Sequence, residues 1–169
     1  SLDEVEAMTR DLARGRLDLY ELNTLAQLWF QEGDPDRAFD LQRRAIAVAD
    51  GAPDEVIANL HFVLGNFHLQ SGDKGDALQC YERVVALAPS HGRALNNAAY
   101  LRATHASDPA GALEYATRAS VLLPADWAVI DTLGWIQYLL GDLGQAKISL
   151  KRSTALNPGP GNLLHLAQA

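Results

Sequence analysis

Histidine is the residue type in this chain best suited to acid–base or metal chemistry, and five histidines are present. His61 and His68 lie seven residues apart on one predicted helix. That separation is about 10 Å along the helix axis, too far for both to bind one metal ion without other ligands. We expect His61 to pack as a large side chain, and His91 and His105, near helix ends, to be solvated. The scattered Ser, His and Asp residues show no order typical of a catalytic triad.

Cysteine and glycine offer no better site. Cys80 is the only cysteine, so no internal disulfide can form, and the thiol is expected to serve as a small apolar side chain. Gly159-Pro160-Gly161 does not match a phosphate-binding loop, because its proline lacks an N–H donor and no Gly-Lys-Ser/Thr follows. The sequence therefore predicts no enzyme activity, no cofactor and no metal.

The net charge of −7 argues against a nucleic-acid partner, since binding to a phosphate backbone needs clustered Lys and Arg. Apolar residues make up 48% of the chain, enough for a core, but no run of about 18 apolar residues could span a membrane. The acidic start, Ser1-Leu2-Asp3-Glu4, does not resemble a signal peptide. Because the chain begins without Met and ends in what reads as a helix, we expect an excised fragment. Abundant Ala and Arg with little Lys suggest a bacterial source, and the compartment stays open between cytoplasm and periplasm.

A repeated pattern with a period of 34 to 39 residues organises the chain. In residues 61–89 it predicts two helices. The first ends at Gly72, the second begins after Asp73 as its N-cap, and Pro89 stops the second. The landmarks of this unit recur in phase: Leu25-Ala26, Leu64-Gly65, Ala98-Ala99 and Leu133-Gly134 in the first helix, and Ala38, Ala77, Ala112 and Ala146 in the second. Such a unit cannot bury its apolar face alone, so the units must stack.

The landmarks fit the consensus W-x2-L-G-x2-Y, then A-x3-F, then P. It is matched by Leu64-Gly65, Ala77, Tyr81 and Pro89, and again by Leu133-Gly134, Ala146 and Pro158. In these residues the chain resembles the tetratricopeptide repeat, over roughly residues 19–158. The resemblance implies an all-α fold, a right-handed α-solenoid of stacked antiparallel helix pairs, that serves as a bacterial interaction scaffold. Gln42 in the Phe position and His68 in the Tyr position depart from the consensus.

We expect one domain over residues 1–169, with an N-terminal helix in 1–18, repeats at about 19–52, 53–91, 92–126 and 127–160, and a C-terminal helix in 161–169. Helices are predicted near 3–15, 19–32, 35–50, 54–71, 74–88, 92–106, 109–123, 127–140, 143–156 and 162–169. Extra residues around Asp50-Gly51 are expected to lengthen the helix over 35–50 by a turn. Gly65, expected opposite Ala77, should let paired helices approach closely. The last helix is expected either to cover the exposed face of repeat four or to open a fifth repeat.

In tetratricopeptide arrays the first helix of each repeat lines a concave groove, so the resemblance implies a binding face on the side away from the second helix. The candidate residues of this face are rich in amides and aromatic rings: Tyr20, Asn23, Gln27 and Phe30; Asn59, Phe62, Asn66 and Leu69; Arg93, Asn96, Asn97 and Tyr100; Asp131, Trp135 and Tyr138. Amide side chains both donate to and accept from a peptide backbone, and aromatic residues are enriched at binding hot spots. This composition suits a peptide or protein segment as the ligand.

Several alternatives stay open. Phe62, Tyr100 and Trp135 could instead pack between neighbouring first helices as core. Some family members hold C-terminal carboxylates with a clamp that needs three cations. Aligned in register, the clamp positions fall on Asn23, Gln27, Val63, Arg93 and Asn97, and shifted by one repeat they fall on Phe62, Asn66, Asn97, Ala128 and Thr132. Neither set supplies the three cations. A chaperone tail is therefore not expected as the ligand. The chain could also form a homo-oligomer through helix 3–15 and residues 162–169, or be a regulatory arm of a larger protein, such as a glycosyltransferase or an envelope or secretion component.

Overall fold

The computed structural model describes residues 17–169, so the helix predicted over residues 3–15 lies outside the described part. The described residues form nine α-helices and no strand: α1 (Leu19–Gln31), α2 (Pro35–Ala47), α3 (Asp54–Ser71), α4 (Lys74–Leu87), α5 (Gly92–Thr104), α6 (Pro109–Leu122), α7 (Trp127–Leu139), α8 (Leu143–Leu156) and α9 (Pro160–Gln168). Every bound lies within three residues of its predicted position. The all-α fold is therefore as predicted.

Short local signals set most helix ends. The carboxylates of Asp34, Asp108 and Asp142 accept hydrogen bonds from backbone N–H groups in the first turns of α2, α6 and α8, at 3.1, 2.8 and 3.2 Å. Gly72 follows α3 with φ of 90°, in the left-handed region that glycine tolerates. Asp73 departs from its predicted role. It is the N-cap residue of α4, but its carboxylate makes no capping bond and lies 3.6 Å from Nδ1 of a histidine in α3.

The extra residues between the first two helix pairs lengthen α3 rather than α2, so the prediction of a longer α2 was wrong. α2 has 13 residues, whereas α3 runs for 18 residues from Asp54. Just after α2, the N–H of Ala49 bonds to the carbonyl of Ile46 at 3.2 Å, and Gly51 adopts φ of 78°. This tight turn ends α2 early, because the chain reverses before a further helical turn can form.

Contacts divide the chain into two compact units, Ser1–Ala88 and Pro89–Ala169. In the first unit, α1 pairs with α2 and α3 pairs with α4, and α3 also packs on α1 and α2. Three aromatic rings meet in its core: Phe30 stacks on Phe67 with 4.2 Å between ring centroids, and Phe39 lies edge-on to both. Each helix pair thus buries apolar surface against the next pair, as stacked repeats require. The residue limits of the repeats stay predictions.

Gln42, which replaces the aromatic residue of the consensus, is fully buried. Its amide nitrogen, on α2, donates to the carbonyl of Leu60 on α3 at 2.8 Å. Its amide oxygen is buried without a hydrogen-bond partner. Burying an unpaired polar group is unfavourable, so the hydrogen bond to Leu60 offsets part of the free energy lost when the Gln42 amide leaves water. The departure from the consensus therefore creates a polar link between successive helix pairs.

In the second unit, α5 pairs with α6 and α7 pairs with α8, and α7 also packs on α5 and α6. The buried residues where these helices meet are mostly small: Ala99, Ala103, Ala112, Ala116 and Ile136. A recurring contact fixes each second helix to the turn before its own repeat. Arg118 donates to the carbonyl of Pro89 at 2.8 Å, and Arg152, 34 residues later, donates to the carbonyl of Pro124.

Gly65 and Gly134 let the two helices of a pair approach closely, as predicted, but the residue nearest to Gly65 is not the predicted Ala77. A Cβ atom added to Gly65 would lie 2.9 Å from Cε1 of Tyr81, and one added to Gly134 would lie 2.7 Å from Cγ of Leu150. The predicted neighbour Ala77 is buried, but Tyr81 is closer to Gly65. Tyr81 and Leu150 both occupy the Phe position of the consensus. The large side chain at that position therefore covers the space that glycine leaves.

The last helix, α9, packs on α7 and α8 as α7 packs on α5 and α6. Asn162 of α9, only 3% exposed, donates to Oγ of Ser153 at 2.9 Å and to the carbonyl of Asn157 at 3.0 Å. Oγ of Ser153 in turn donates to the carbonyl of Trp127 at 2.9 Å. Both predicted arrangements, a cover on repeat four and the start of a fifth repeat, stay predictions.

Candidate peptide-binding faces

On the first unit, α1 contributes Tyr20, Asn23 and Gln27 to the predicted binding face. Tyr20 is exposed, with 61% of its surface open to solvent, whereas Asn23 and Gln27 are half-buried. Nε2 of Gln27 donates to the backbone carbonyl of Asn23 at 3.4 Å, and Oδ1 of Asn23 is buried without a hydrogen-bond partner. Of the three side chains, Tyr20 is the most open to a ligand. Phe30 lies in the aromatic core instead.

The second helix on this face, α3, contributes Asn59, Phe62 and Asn66. The ring of Phe62 packs against that of Tyr81 with 5.7 Å between centroids. The Tyr81 hydroxyl donates to Oδ1 of Asn66 at 2.8 Å. Phe62 and Asn66 therefore contribute to packing within their own helix pair, while Asn59 is exposed. The predicted residue Leu69 is half-buried near the end of α3.

On the second unit, Arg93, Asn96 and Tyr100 form a stripe along one side of α5, with Asn97 beside it. The spacing i, i+3, i+7 places the three on one face of the helix. Arg93 is exposed, and so is Tyr100, with 43% of its surface open to solvent. Nδ2 of Asn96 donates to Oδ1 of Asn97 at 3.4 Å, and Oδ1 of Asn96 is buried without a hydrogen-bond partner. We call Arg93, Asn96, Asn97 and Tyr100 the α5 stripe.

The neighbouring first helix, α7, presents Asp131, Trp135 and Tyr138, and α9 covers part of them. Nδ1 of His165 lies 2.7 Å from Oδ2 of Asp131. The His165 ring stacks on Trp135, with 4.4 Å between centroids and 19° between the planes. Trp135 also stacks on Tyr138 at 5.1 Å. These contacts fix the orientation of the Trp135 ring before any ligand arrives.

His165 was not predicted as a residue of this face. It lies 34 residues after Asp131, the length of one repeat, so it holds in α9 the position that Asp131 holds in α7. The repeat period was the available signal. Extending that period past Pro158 would have placed His165 in line with Asp131.

Burial shifts the pKa of several groups in the two units. Desolvation raises the pKa of Asp131, and the charge and hydrogen bond of His165 act in the opposite direction. Desolvation, with a smaller effect of Asp76, raises the pKa of Cys80 to about 11. The thiol therefore stays protonated at neutral pH, which suits its predicted role as a small apolar side chain. Desolvation also lowers the pKa of His61.

His91 is not simply solvated, as the sequence had suggested. Its Nδ1 accepts a hydrogen bond from the N–H of Ala94 at 3.1 Å, so the imidazole caps α5. Desolvation lowers the pKa of His91, which favours the neutral ring that this capping bond requires. His105, by contrast, is exposed as predicted.

Within residues 17–169, no three His, Cys, Asp or Glu side chains lie close enough together to hold a metal ion. None of the described helices has both the length and the apolar character needed to cross a membrane.

Two profiles described as tetratricopeptide repeat match the sequence, one over residues 18–90 and the other over residues 130–160. The chain belongs to the tetratricopeptide repeat family. Tetratricopeptide repeats form scaffolds for protein interactions, and the chain has the stacked helix pairs of such a scaffold. A comparison with curated proteins gives no significant match.

Solved structures of tetratricopeptide repeat (TPR) proteins share this fold. YrrB, described as a TPR protein with an unusual peptide-binding site, is similar over 96% of this chain and 84% of its own, with a TM-score of 0.77 and 19% identity. MamA from Desulfovibrio magneticus RS-1 is similar over 88% and 81%, with a TM-score of 0.74 and 17% identity. The first TPR of Spaghetti (RPAP3), bound to the HSP90 peptide SRMEEVD, is similar over 66% and 88%, with a TM-score of 0.60 and 20% identity. At these identities the likeness shows the fold alone.

Proposed function

We propose that this tetratricopeptide chain is a non-catalytic scaffold that binds a peptide or protein segment on the first-helix faces of its repeats. The observation that carries the proposal is the α5 stripe, which leaves Arg93 and Tyr100 exposed beside half-buried Asn96 and Asn97. α5 packs against α7, the helix that carries Trp135. The exposed residues of the α5 stripe have no evident role in packing the repeats, and ligand binding would explain why they are polar and aromatic.

The chemistry of the α5 stripe suits an extended or helical peptide. The amides of Asn96 and Asn97 can donate to and accept from a peptide backbone whatever its side chains. Tyr100 offers a large surface with few rotatable bonds, so ordering it on binding costs little conformational entropy. Trp135 is already held by its neighbours, which lowers the ordering cost further.

We infer that the ligand is not an acidic C-terminal tail. The family's clamp for such tails needs a set of cations, and among the aligned positions only Arg93 is positively charged. The net charge of −7 also disfavours an acidic ligand. The peptide SRMEEVD, which the RPAP3 domain holds, should therefore fail to bind this chain in a calorimetric titration. Tight binding of that peptide would contradict the inference.

Display selection of peptides on the immobilised chain, followed by substitution, tests the binding proposal. Tyr100→Ala should weaken a selected peptide by about tenfold or more, since an exposed aromatic side chain is a typical hot spot. Val121→Ala on α6 is the matched control, because Val121 is 74% exposed but lies on a second helix. Circular dichroism should show both variants folded. Failure to select any peptide, or equal binding by Tyr100→Ala and the wild type, would reject the proposal.

A further inference from the structure

Helix α5 is capped by a histidine, whereas α1 and α7 are capped by aspartates. Nδ1 of His91 accepts a hydrogen bond from the N–H of Ala94 at 3.1 Å. Asp18 caps α1 and Asp126 caps α7, each with a carboxylate oxygen that accepts from a backbone N–H, at 2.8 and 3.0 Å. Carboxylates ordinarily keep their charge between about pH 5 and pH 8, whereas an imidazole ordinarily takes up a proton within this range. The cap of α5 is therefore of a kind that responds to pH.

The hydrogen bond to His91 satisfies a backbone group that is shielded from water. Ala94 is fully buried, as is Leu95, whose N–H donates to the carbonyl of His91 at 3.1 Å. Gly92 is also buried, and a Cβ added to it would lie 2.9 Å from Cδ1 of Leu123, at the end of α6. Because this first turn packs so closely, a buried N–H that loses its acceptor there destabilises the turn.

Protonation of His91 acts against the first turn of α5 in several ways. Nδ1 of an imidazolium carries a hydrogen, so it cannot accept from the N–H of Ala94. The positive charge would lie at the positive end of the helix dipole. Desolvation lowers the pKa of His91, a backbone hydrogen bond opposes this shift, and the charge of Arg93 adds to it. The stabilisation by neutral His91 is thus present above the usual histidine pKa of about 6.5 and is lost as pH falls through the lowered pKa.

The charged groups on the two helices that pack on α5 have partners of their own. α6 and α7 are these helices. On α6, Glu114 and Arg118 pair with each other at 3.3 Å. On α7, Asp126 caps its own helix, and Asp131 lies 2.7 Å from a histidine of α9. A pH dependence that disappears when His91 is replaced therefore belongs to the cap of α5 and not to these groups.

We propose that His91 is an acid-sensitive cap, which holds the first turn of α5 when neutral and releases this turn, with Arg93, when protonated. Arg93 belongs to the α5 stripe, and Asn96 and Asn97 follow it by one helical turn. Acidification therefore loosens the end of the helix that carries the stripe and weakens a ligand bound there. The link to binding rests on the proposed function, whereas the loosening of the turn does not.

Amide hydrogen exchange of the full 169-residue chain at about pH 7.5 and about pH 5 tests the cap. The protection factors of Ala94 and Leu95, corrected for the intrinsic pH dependence of exchange, should fall about fivefold or more at the lower pH, the typical effect of losing a cap. His91→Asn supplies a capping side chain that does not titrate, so its protection factors should stay constant within about twofold. His105→Asn is the matched control, because it removes an exposed histidine at the other end of α5 and should leave the fall unchanged.

A selected peptide that contains no titratable side chain tests the link to binding. Its dissociation constant should rise about twofold or more between about pH 7.5 and about pH 5, because only chains with a closed first turn bind at full strength. The rise should be smaller with His91→Asn. A fall in protection without a change in affinity would overturn the link to the α5 stripe but leave the cap in place.

The cap itself has its own decisive outcomes. Equal protection of Ala94 at both pH values in the wild type would overturn it, and so would an undiminished fall in His91→Asn. A fall that disappears in His105→Asn instead would assign the pH dependence to the wrong histidine and overturn it as well. Failure to select any peptide would reject the proposed function and the link to binding, while the exchange measurement still decides the cap.

Discussion

Asp131 and His165 lie 34 residues apart in sequence and meet with 2.7 Å between Oδ2 and Nδ1. Their spacing equals one repeat period, and their contact joins α7 directly to α9. The other carboxylate oxygen of Asp131, Oδ1, is buried without a hydrogen-bond partner. The contact with His165 thus compensates only part of the desolvation of this carboxylate, which agrees with the raised pKa of Asp131.

The raised pKa of Asp131 predicts a defined pH dependence of stability. The folded state holds this proton more tightly than the unfolded chain, so Asp131 contributes less to the free energy of unfolding as pH rises above the usual carboxyl pKa of about 4. Asp131→Asn removes the titration. The free energy of unfolding of the wild type minus that of the variant should therefore decrease as pH rises from about 4 to about 6. Urea denaturation at several pH values measures it, and a difference that increases over this range would contradict the assignment.

The close approach at Gly134 predicts a loss of stability when a side chain is added there. A Cβ at this position would lie 2.7 Å from Cγ of Leu150, so Gly134→Leu should cost about 1–3 kcal/mol and lower the melting temperature. Gly65→Leu, against Tyr81, should act in the same direction. Gly161→Ala in α9 is the control, because no atom lies within 4 Å of the added Cβ. Unchanged melting temperatures for both leucine variants would refute the close-approach explanation.

The buried amide of Gln42 predicts that charge is tolerated poorly at this position and that an apolar side chain of similar size is tolerated well. Gln42→Glu should lower the free energy of unfolding by about 3 kcal/mol or more at neutral pH, because it buries an unpaired carboxylate beside the carbonyl of Leu60. The loss should shrink at about pH 4, where the carboxyl takes up a proton. Gln42→Met is the matched control and should cost less than about 1.5 kcal/mol. A larger loss with Met than with Glu would show that the hydrogen bond from the Gln42 amide to the carbonyl of Leu60 contributes more to stability than the absence of charge does.

The hydrogen bonds of Asn162 predict how firmly α9 is attached to α8. Asn162→Ala should lower the free energy of unfolding by about 1–3 kcal/mol and speed amide hydrogen exchange across residues 160–168. Gln168→Ala, an exposed change on the same helix, should stay within about 0.5 kcal/mol. A double-mutant cycle with Ser153→Ala should give a coupling of about 1 kcal/mol. Additive effects of the two changes would mean that the bond between them contributes nothing.

The sequence by itself determined the number and type of the described helices and most of their ends. Signals such as Asp34 before Pro35 and Gly72 after α3 act through backbone groups only a few residues away, so they can be read without knowing the fold. The period of 34 to 39 residues likewise determined that the helices form stacked pairs, since one pair cannot bury its own apolar face.

Only the tertiary structure decided which side chains meet. In the structure Gly65 lies against Tyr81 rather than Ala77. The Tyr81 hydroxyl donates a hydrogen bond to the amide oxygen of Asn66, and the His165 ring stacks on Trp135. The tertiary structure also assigned the extra turn to α3 instead of α2. These contacts depend on the relative positions of packed helices that are distant in sequence, and shifts of fractions of an ångström in those positions change them. A periodic pattern fixes the face on which a residue lies, but not the neighbour it contacts.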